Sequence, residues 1–421
     1  MSYFEGDVKN VAVIGAGAMG SGIAASLVLN GFKVIMIDIK PEFVDKGLSN
    51  IKRILDSRVK KEVITSDQAN EYLKSVKTQV DYDNLAEIDF VIEAALEKID
   101  VKTTIFCELD KILKKSAVIA SNTSALSISE LASHTNRSDR VIGMHFFNPA
   151  HVMKLVEVIP GLKTSQKTIE TTQKLAKSLG KVGVVVNECP GFLVNRLLFP
   201  YMNEALYALE LNLASIVQID EMAVQFGLPM GPFTLMDMTG LDVCLDVNDF
   251  LYNEYGERFK TNKLLKLMVE NGLLGQKSKA GFFVHDPSLA YGANKEINPK
   301  VLELLSGLRK TEQIKDEFSF NQVILPMFNE AIYAYQEKVV ELADIDVAMS
   351  YGCGLKRGIL SLSNEHGLKW CLAQIEKYHV LYGERFRPSW FLKKIVRSGI
   401  YNIMEMTDNS QKDDLSLAKL T

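Results

Sequence analysis

Short apolar segments recur through the first 189 residues, and stretches with helical spacing of apolar positions separate them. Several of these segments are apolar throughout, which is typical of strands buried on both faces of a parallel sheet. The alternation of strands and helices predicts βαβ units and a Rossmann-type, doubly wound parallel sheet. The predicted strands are 10–14, 33–37, 88–92, 117–120, 141–144 and 182–186.

The pattern changes at Pro190, after which strand-like runs are almost absent. Helical periodicity dominates 192–211, 215–226 and 233–254, and again the last hundred residues. The segment DPSLAYGANKEINPK is rich in turn formers and predicts a linker. The predicted domains are 1–189, the sheet domain; 190–290, an all-α domain; 291–315, a linker; and 316–421, a second all-α domain.

The second helical stretch repeats the first. Residues 195–208 are NRLLFPYMNEALYA, and residues 321–334 are NQVILPMFNEAIYA. The pentapeptide YGERF occurs at 255–259 and again at 382–386. Because these matches keep their order and nearly the same spacing, the sequence predicts a duplicated helical domain.

Composition and charge exclude several functions. Apolar residues make up 47% and charged residues 24%, as in ordinary globular proteins, and the net charge of −4 argues against a nucleic-acid partner. No apolar run reaches the ~18 residues of a membrane span, and the first ten residues resemble neither a secretory nor a mitochondrial signal. The five scattered cysteines predict free thiols in a reducing compartment, and no Cys or His spacing suggests a metal site.

A glycine-rich loop follows the first predicted strand. Gly15, Gly17 and Gly20 form G-x-G-x-x-G between an apolar strand and an Ala-rich helix. In this context the motif predicts a dinucleotide site, with the pyrophosphate at the helix N-terminus. Asp38 ends the next strand and favours NAD over NADP, although Lys40 lies two residues later. The alternatives are a glycine-rich turn and a solvated loop carboxylate.

His145 is the candidate base among six histidines, because it closes the strand VIGMH at the edge where ligands of open α/β sheets bind. Glu157, within the apolar stretch KLVEVI, is its candidate partner, since a carboxylate in an apolar strand is costly unless it is paired. The alternative is a satisfied buried histidine and a glutamate on an exposed edge. Position alone favours neither interpretation.

The chain resembles the L-3-hydroxyacyl-CoA dehydrogenases of fatty acid β-oxidation. HFFNP followed by KLVEV is the most specific part of the resemblance. The matching segments lie in family order: VAVIGAGAMGSGIA (11–24), VIEAALEKIDVK (91–102), ASNTSALSI (120–128), GMHFFNPAHVMKLVEVI (143–159), PGFLVNR (190–196) and PMGPFTLMD (229–237).

The resemblance implies that His145 is the general base and that Glu157 orients it. It implies that Ser124 and Asn195 hydrogen-bond the substrate 3-oxygen or the histidine, and both side chains can donate to an oxygen that gains charge. Ser124 could instead belong to a helix cap, and Asn195 could be a polar residue at a helix start. The candidate cofactor contacts are Ala18 and Met19 in the glycine loop, Glu97 and Lys102 near the nicotinamide ribose, Asn122, and Asn148, which also helps to place the substrate.

A basic helical stretch, KRILDSRVKK, is the candidate site for the CoA phosphate. We predict contacts from Arg53 and Arg58, and the stretch also contains Lys52, Lys60 and Lys61. The alternative is a solvated helix face.

The second helical copy departs from the first at functional positions. Arg196 corresponds to Gln322, and PMGPFTLMD has become CGLKRGILS (353–361). We therefore expect this copy to be non-catalytic. In the large peroxisomal and bacterial members that the chain resembles, the second copy takes the place of a dimer partner. This chain resembles their dehydrogenase part without a hydratase domain, and we expect residues 316–421 to pack on 190–290 in a monomer.

The predicted function is NAD-dependent oxidation of L-3-hydroxyacyl-CoA to 3-ketoacyl-CoA, with an unspecified acyl chain length. One alternative is a dehydrogenase of a polar hydroxy acid such as L-gulonate, and another is a silent NAD- or acyl-CoA-binding scaffold. The expected location is the cytoplasm or the peroxisome. The sequence ends Ala-Lys-Leu-Thr, in which Thr421 displaces a near match to the Ser-Lys-Leu type of signal.

Overall fold

The structure is a computed structural model that describes residues 8–286, 296–309 and 318–406. The chain divides into two units, Met1–Phe192 and Leu193–Thr421. Parts of the predicted linker and the Ala-Lys-Leu-Thr end of the chain lie outside the described residues.

The first unit is built on an eight-stranded sheet of order β3-β2-β1-β4-β5-β6-β7-β8. Strands β1 to β6 are parallel, whereas β7 pairs antiparallel with β6 and β8 runs parallel to β7. The strands are β1 Asn10–Ile14, β2 Lys33–Ile37, β3 Val76–Gln79, β4 Phe90–Glu93, β5 Val118–Ser121, β6 Val141–Phe146, β7 Leu155–Pro160 and β8 Val182–Val185.

Six helices accompany this sheet: α1 Ala18–Leu29, α2 Pro41–Lys60, α3 Ser66–Lys74, α4 Ile99–Ile112, α5 Ile128–Ser133 and α6 Gln166–Ser178. Helix α1 is buried over most of its length, because it packs between the sheet and α2. Thr65 and Gln68 form a capping box that begins α3. A short 3-10 helix, Ser138–Arg140, precedes β6.

The predicted Rossmann-type fold is confirmed, and all six predicted strands are present with small shifts at their ends. The sheet is mostly rather than wholly parallel, because β7 and β8 run opposite to the other six strands. Two of the eight strands were not among the predicted six: β7, which was treated only as the apolar stretch around Glu157, and β3, a short and largely exposed edge strand of sequence VKTQ. Edge strands of this kind lack an apolar pattern because they bury little surface.

The second unit is all-α in its described part. Its helices are α7 Val194–Glu210, α8 Ile216–Phe226, α9 Pro232–Thr239, α10 Leu241–Tyr255, α11 Lys263–Glu270, α12 Pro299–Leu308, α13 Asn321–Gln336, α14 Leu342–Cys353, α15 Ser361–His366, α16 Leu368–Tyr382 and α17 Trp390–Arg397. Short 3-10 helices lie at Gly256–Phe259, Gln276–Ser278, Gly383–Phe386 and Ile403–Met406.

The predicted duplication is visible in the order of these elements. Helices α7 to α11 with the 3-10 helix Gly256–Phe259 recur as α13 to α17 with the 3-10 helix Gly383–Phe386. Both long first helices carry an internal proline, Pro200 in α7 and Pro326 in α13. The all-α nature of the second half is therefore confirmed.

Two helical predictions need correction. The stretch 233–254 is two helices, because Gly240 interrupts it with φ +101°. The predicted linker contains α12, which begins at Pro299 behind the N-cap Asn298 and buries Val301 and Leu305. An i, i+4 apolar pair behind an Asn-Pro start is a helix signal that the turn-rich flank obscured.

The two helical copies contact each other through reciprocal ion pairs. Arg385 of the second copy bonds the Glu204 carboxylate of the first, and Arg258 of the first bonds Glu330 of the second at 3.3 Å. Each arginine also lies over a tyrosine ring of the other copy. Such exchange of equivalent contacts is the pattern of an isologous two-fold interface. Residues 318–402 therefore pack on the first copy, as the sequence predicted.

No helix within the described residues is long and apolar enough to cross a membrane. The described residues also contain no group of three or more His, Cys, Asp or Glu side chains that could hold a metal ion. The five cysteines all lie within the described part, and they form no disulfide there.

Candidate active site

The predicted site residues of the first unit gather at one edge of the sheet. Because β1 to β6 are parallel, their carboxyl ends share an edge, and β7 and β8 begin at that same edge. The glycine loop follows β1, Asp38 follows β2, and Glu93 ends β4. Asn122 follows β5, and His145 lies near the end of β6. This is the edge at which open α/β sheets bind ligands.

The glycine loop has a backbone that only glycine accepts at two positions. Gly15 has φ +101°, and a Cβ there would lie 2.4 Å from the Ala94 carbonyl oxygen. A Cβ on Gly20 would lie 1.9 Å from the Gly15 carbonyl oxygen, so this glycine allows helix and strand to pack closely. A Cβ on Gly17 would meet nothing within 4 Å. The space above Gly17, at the start of α1, is open for a pyrophosphate, and Ala18 and Met19 continue from there.

Asp38 is tied to this loop. Its Oδ2 accepts a hydrogen bond from the Ala16 amide at 2.7 Å, and its Oδ1 accepts from the Ile39 amide at 2.7 Å. The carboxylate is therefore held beside the glycine loop, where a ribose hydroxyl would lie. Lys40 points its ammonium toward Glu42 at 3.9 Å and over the Phe43 ring.

His145 and Glu157 face each other across β6 and β7. They are direct partners in the antiparallel register, and His145 Nδ1 lies 2.7 Å from Glu157 Oε2. Glu157 is fully buried, since β8 covers β7 on its other side, so the alternative of an exposed edge is wrong. The imidazole is 7% exposed and lies against the rings of Phe147 and Phe192. With Nδ1 bonded to the carboxylate, Nε2 is the nitrogen that can accept a proton.

Lys102 is buried beside two carboxylates. Its ammonium is 1% exposed and bonds Glu93 at 2.7 and 2.9 Å and Glu97 at 3.2 Å. It is therefore the counter-charge of two carboxylates rather than a free contact for a ribose. The sequence analysis missed Glu93, which is fully buried and also accepts from Ser121 Oγ at 2.6 Å and the Ala95 amide at 2.7 Å. The available signal was an acid at the end of the apolar strand FVIE.

Glu97 connects this cluster to Ser124. It accepts hydrogen bonds from Thr123 Oγ1 at 2.5 Å, the Ser124 amide at 2.8 Å and Ser124 Oγ at 3.3 Å. Burial tends to raise the pKa of Glu97, but the Lys102 ammonium and these donors outweigh it and hold the pKa below its usual range. Glu97 is thus an ionised acceptor at the sheet edge.

Asn122 joins two neighbouring strands at this edge. Its side-chain Oδ1 accepts from the Phe146 backbone amide at 2.8 Å, and its backbone amide donates to the Glu93 carbonyl at 2.7 Å. The side chain therefore fixes the backbone that follows His145. Its carboxamide nitrogen is the donor that remains for a ligand.

The turn after β6 lines a cavity of about 590 Å³. Asn148, which precedes a cis proline, contributes to the lining together with His151. Pro149 and Val152 of the same turn also line the cavity. The remaining lining residues come from α1, from α2 and from the segment after α2: Ala18, Ser21, Asn50, Arg53, Ile54, Ser57, Arg58, Lys61 and Val63.

The structure thus places the predicted Arg53 and Arg58 at the same cavity as Asn148. Arg58 also donates to the His151 carbonyl at 3.5 Å, and Arg53 donates to Asn50 at 3.0 Å. Lys52 and Lys60 line a smaller adjoining cavity with Arg53. Burial, Arg58 and Lys181 lower the pKa of His151, so this imidazole is neutral near pH 7. The sequence analysis did not single out His151.

Asn195 lies in the second unit, in the first turn of α7 and partly buried. The residue after it, Arg196, is fully buried, and its guanidinium bonds Glu330 at 2.7 Å and Glu337 at 2.7 Å. The first turn of α7 is therefore anchored to the second helical copy.

Comparisons with known proteins agree with this geometry. Residues 10–189 match the family model "3-hydroxyacyl-CoA dehydrogenase, NAD binding domain". Residues 191–285 and, separately, 318–402 match "3-hydroxyacyl-CoA dehydrogenase, C-terminal domain". The first match gives NAD as the cofactor of the sheet domain, and the second recognises both helical copies.

Three relatives illustrate the extent of the similarity. The glyoxysomal fatty acid beta-oxidation multifunctional protein of Brassica napus is 33% identical over 91% of this chain and 54% of its own length. The 3-hydroxybutyryl-CoA dehydrogenase of Escherichia coli superposes with a TM-score of 0.83 at 30% identity, over 93% of this chain and 99% of its own. The (S)-3-hydroxybutyryl-CoA dehydrogenase of Ralstonia eutropha has a TM-score of 0.65 at 43% identity, over 66% of this chain and 100% of its own.

The chain spans about half the length of the curated multifunctional relatives it matches. Both family models together nevertheless cover nearly all of its described residues, in order and with the helical model matched twice. The chain therefore belongs to the 3-hydroxyacyl-CoA dehydrogenase family.

Proposed function

We propose that this protein oxidises L-3-hydroxyacyl-CoA to 3-ketoacyl-CoA with NAD, as a step of fatty acid β-oxidation. The observation that carries the proposal is the buried His145–Glu157 pair, 2.7 Å apart at the ligand-binding edge of an NAD-binding domain. An alcohol dehydrogenation needs a base at the hydroxyl as hydride leaves the carbon, and a carboxylate-oriented imidazole supplies one near neutral pH.

The residues at the edge of the sheet fit the cofactor. The open space above Gly17 suits a pyrophosphate, and the Asp38 carboxylate beside the loop suits a ribose diol. NAD, when bound, supplies the acceptor for the hydride that leaves C3 of the substrate.

The protein's own residues handle the proton and the oxygen. His145 Nε2 takes the hydroxyl proton, and Glu157 stabilises the imidazolium that results. Ser124 and Asn195 donate to the substrate oxygen. The long 3.3 Å bond from Ser124 Oγ to Glu97 leaves this hydroxyl able to turn toward a ligand. Asn122 and Asn148 flank the reacting groups as cofactor and substrate contacts.

Glu97 and Lys102 act on the cofactor side in this proposal. Glu97, side chain 40% exposed, faces outward from the buried cluster and is the group able to reach a nicotinamide ribose. Lys102 holds Glu97 in its ionised form from behind.

The cationic cavity favours an acyl-CoA over a sugar acid such as L-gulonate. Arg53, Arg58 and Lys61 line it, and CoA carries several phosphate charges where a sugar acid carries one carboxylate. We assign Arg53 and Arg58 to the CoA phosphates.

The test is to mix the protein with NADH and acetoacetyl-CoA and to follow the nicotinamide absorbance, beside His145→Ala. We expect oxidation by the wild type and a loss of about a hundredfold or more in the variant. Oxidation of NADH with a keto sugar acid but not with acetoacetyl-CoA would show that the substrate is a polar hydroxy acid rather than an acyl-CoA. NADH binding without turnover of either substrate would favour the alternative of a catalytically silent NAD-binding scaffold.

We further propose that the second helical copy is non-catalytic, that it fills the place of a dimer partner, and that the protein is a monomer. Its packing on the first copy through equivalent residues supports this. Analytical ultracentrifugation that gives a dimer at micromolar concentration would overturn the monomer.

We propose that the domains divide at 189/190 and 290/291 and that the second copy begins at 316. For location we propose the cytoplasm or the peroxisome, since relatives are named as glyoxysomal and peroxisomal proteins. Imaging of the tagged chain distinguishes the two.

A further inference from the structure

Lys181 lies at the edge of the sheet that carries the candidate active site. It directly precedes β8, and β8 runs opposite to β6. The residue before β8 therefore lies at the edge where β6 ends, although it comes 36 positions after His145 in the sequence. Nothing in the local sequence, SLGKVGVVV, distinguishes this lysine from a surface residue.

The side chain is 9% exposed, and its ammonium is bonded to backbone rather than to a carboxylate. Nζ donates to the Ala150 carbonyl at 2.6 Å and to the Met153 carbonyl at 2.6 Å. A buried cation without an acidic partner is costly, so these two charge-assisted bonds are what holds it in place. Burial and the nearby Arg58 charge lower the pKa of Lys181 to about 8.

Both carbonyls belong to the turn that follows the strand of His145. Ser26 of α1 donates to the Ala150 carbonyl at 3.3 Å, and Arg58 of α2 donates to the His151 carbonyl at 3.5 Å. The turn is thus bound by three elements, and Lys181 makes the two shortest of the four bonds. Asn148, Pro149 and His151 of this turn line the cationic cavity.

We propose that Lys181 is a positioning residue for substrate binding: it fixes the 149–153 turn, so that Asn148 and the cavity wall are already in the binding geometry. The inference rests on the proposed acyl-CoA function. Lys181 is not one of the described residues that line the cavity, so it acts on the substrate through the turn. A group that acts in this way affects the fit of the substrate more than the proton transfer at His145.

The chain offers a matched control in Arg137. It is a 7% exposed cation in the same unit that donates to the Asp110, Leu113 and Lys114 carbonyls, around the end of α4, at 2.7–3.0 Å. Unlike Lys181 it also pairs with a carboxylate, since its Nε bonds Asp110 Oδ1 at 2.7 Å. It lies before β6, at the opposite edge of the sheet from His145. Arg137→Met therefore removes a comparable clamp without touching the candidate site.

The experiment compares Lys181→Met with Arg137→Met. We expect the KM for acetoacetyl-CoA to rise about tenfold in Lys181→Met while kcat falls less than threefold, because misplacing a positioning turn weakens substrate binding. We expect the Arg137→Met KM to stay within about twofold of the wild type, whatever its loss of thermal stability. An unchanged KM in folded Lys181→Met, or an equal rise in Arg137→Met, would overturn the proposal.

A milder variant covers the case in which Lys181→Met does not fold. Ser26→Ala removes one bond to the same Ala150 carbonyl, and we expect its KM to rise about twofold to threefold with kcat unchanged. No rise would count against the proposal.

Hydrogen exchange separates this inference from the proposed function. The Val152 and Met153 amides both donate to the Pro149 carbonyl within the turn. Faster exchange there in Lys181→Met than in Arg137→Met supports the clamp even if acetoacetyl-CoA is not the substrate. Equal exchange in both variants refutes the clamp.

Discussion

His145 and Glu157 occupy directly opposed positions of the antiparallel pair β6 and β7, so the strand register itself brings the imidazole and the carboxylate to 2.7 Å. The sheet turns antiparallel at this one pairing among the described strands. The imidazole and the carboxylate are thereby held by backbone pairing rather than by a flexible loop, which favours a fixed ring orientation.

Glu157→Gln keeps the shape of this pair but removes its negative charge. We expect kcat to fall about a hundredfold, since the imidazolium loses its counter-charge, while NADH affinity is retained. Stopped-flow or steady-state absorbance with acetoacetyl-CoA measures the first quantity, and fluorescence titration with NADH the second. A kcat within threefold of the wild type would assign Glu157 a purely structural role.

Asp38→Ser should relax the choice of cofactor. The carboxylate repels a 2′-phosphate, so its removal is expected to lower the ratio of kcat/KM for NADH over NADPH by about tenfold or more. Lys40→Ala is the control, because the Lys40 side chain is 56% exposed and directed toward Glu42. If the ratio changes in Lys40→Ala rather than in Asp38→Ser, the discriminating group has been misassigned.

Lys102→Met would leave two carboxylates without their shared cation. Glu93 is fully buried, so we expect a loss of about 3–5 kcal/mol in the free energy of unfolding. Urea denaturation measures it, and Lys98→Met on the exposed start of the same helix should change it by less than about 0.5 kcal/mol. A loss below about 1 kcal/mol would mean that the fold does not depend on the ion pairs of Lys102.

We expect protonation of Glu97 to lower the stability of the folded protein in acid. Its pKa in the folded protein is below its value in the unfolded chain, so its ionised form stabilises the fold above about pH 4.3, the ordinary glutamate pKa. That contribution is lost as pH falls through the folded pKa. We expect the wild-type melting temperature to drop more between pH 6 and pH 3 than that of Glu97→Gln. Parallel curves for the two proteins would show that Glu97 does not contribute to the acid sensitivity.

The duplicated domain supplies its own comparison of ion pairs. Glu330 bonds two arginines, Arg196 and Arg258, whereas within the part of the chain that the structure describes its equivalent Glu204 bonds one, Arg385. Burial outweighs Arg385 and raises the pKa of Glu204, which lowers the cost of a neutral replacement there. We expect Glu330→Gln to destabilise the protein by at least about 1 kcal/mol more than Glu204→Gln in chemical denaturation. Equal losses would mean that Arg196 contributes nothing through Glu330.

Local patterns were sufficient for much of this fold. The glycine spacing, Asp38 at a strand end and the repeated helical segments each carry their signal within a few residues, and each was predicted correctly in position. The position of His145 at the ligand-binding edge was also predicted, because it lies near the end of a strand. What the sequence left open was whether Glu157 lay at an edge, and this depended on β8 pairing beyond β7.

The missed residues share a physical reason. Glu93 and Lys181 bond residues 28 to 31 positions away in the chain. Lys102 was predicted as a cofactor contact, but its burial was not, because a lysine in sequence does not reveal whether its ammonium meets water, a carboxylate or a carbonyl. The edge strand β3 was missed because it lacks an apolar pattern, and the helix α12 was missed because turn formers flank its apolar positions. Burial at these positions follows from topology rather than from composition.

The reciprocal pairs of the helical copies change what a substitution can do. In a symmetric dimer of one gene product, every substitution at the interface is made twice, once on each side. Here the two sides of the interface are different segments of one chain. Arg196 can therefore keep its ion pairs with Glu330 and Glu337, while the equivalent residue of the second copy is the uncharged Gln322. Each half can therefore be adjusted singly, and one half can give up its chemistry while it continues to hold the other in shape.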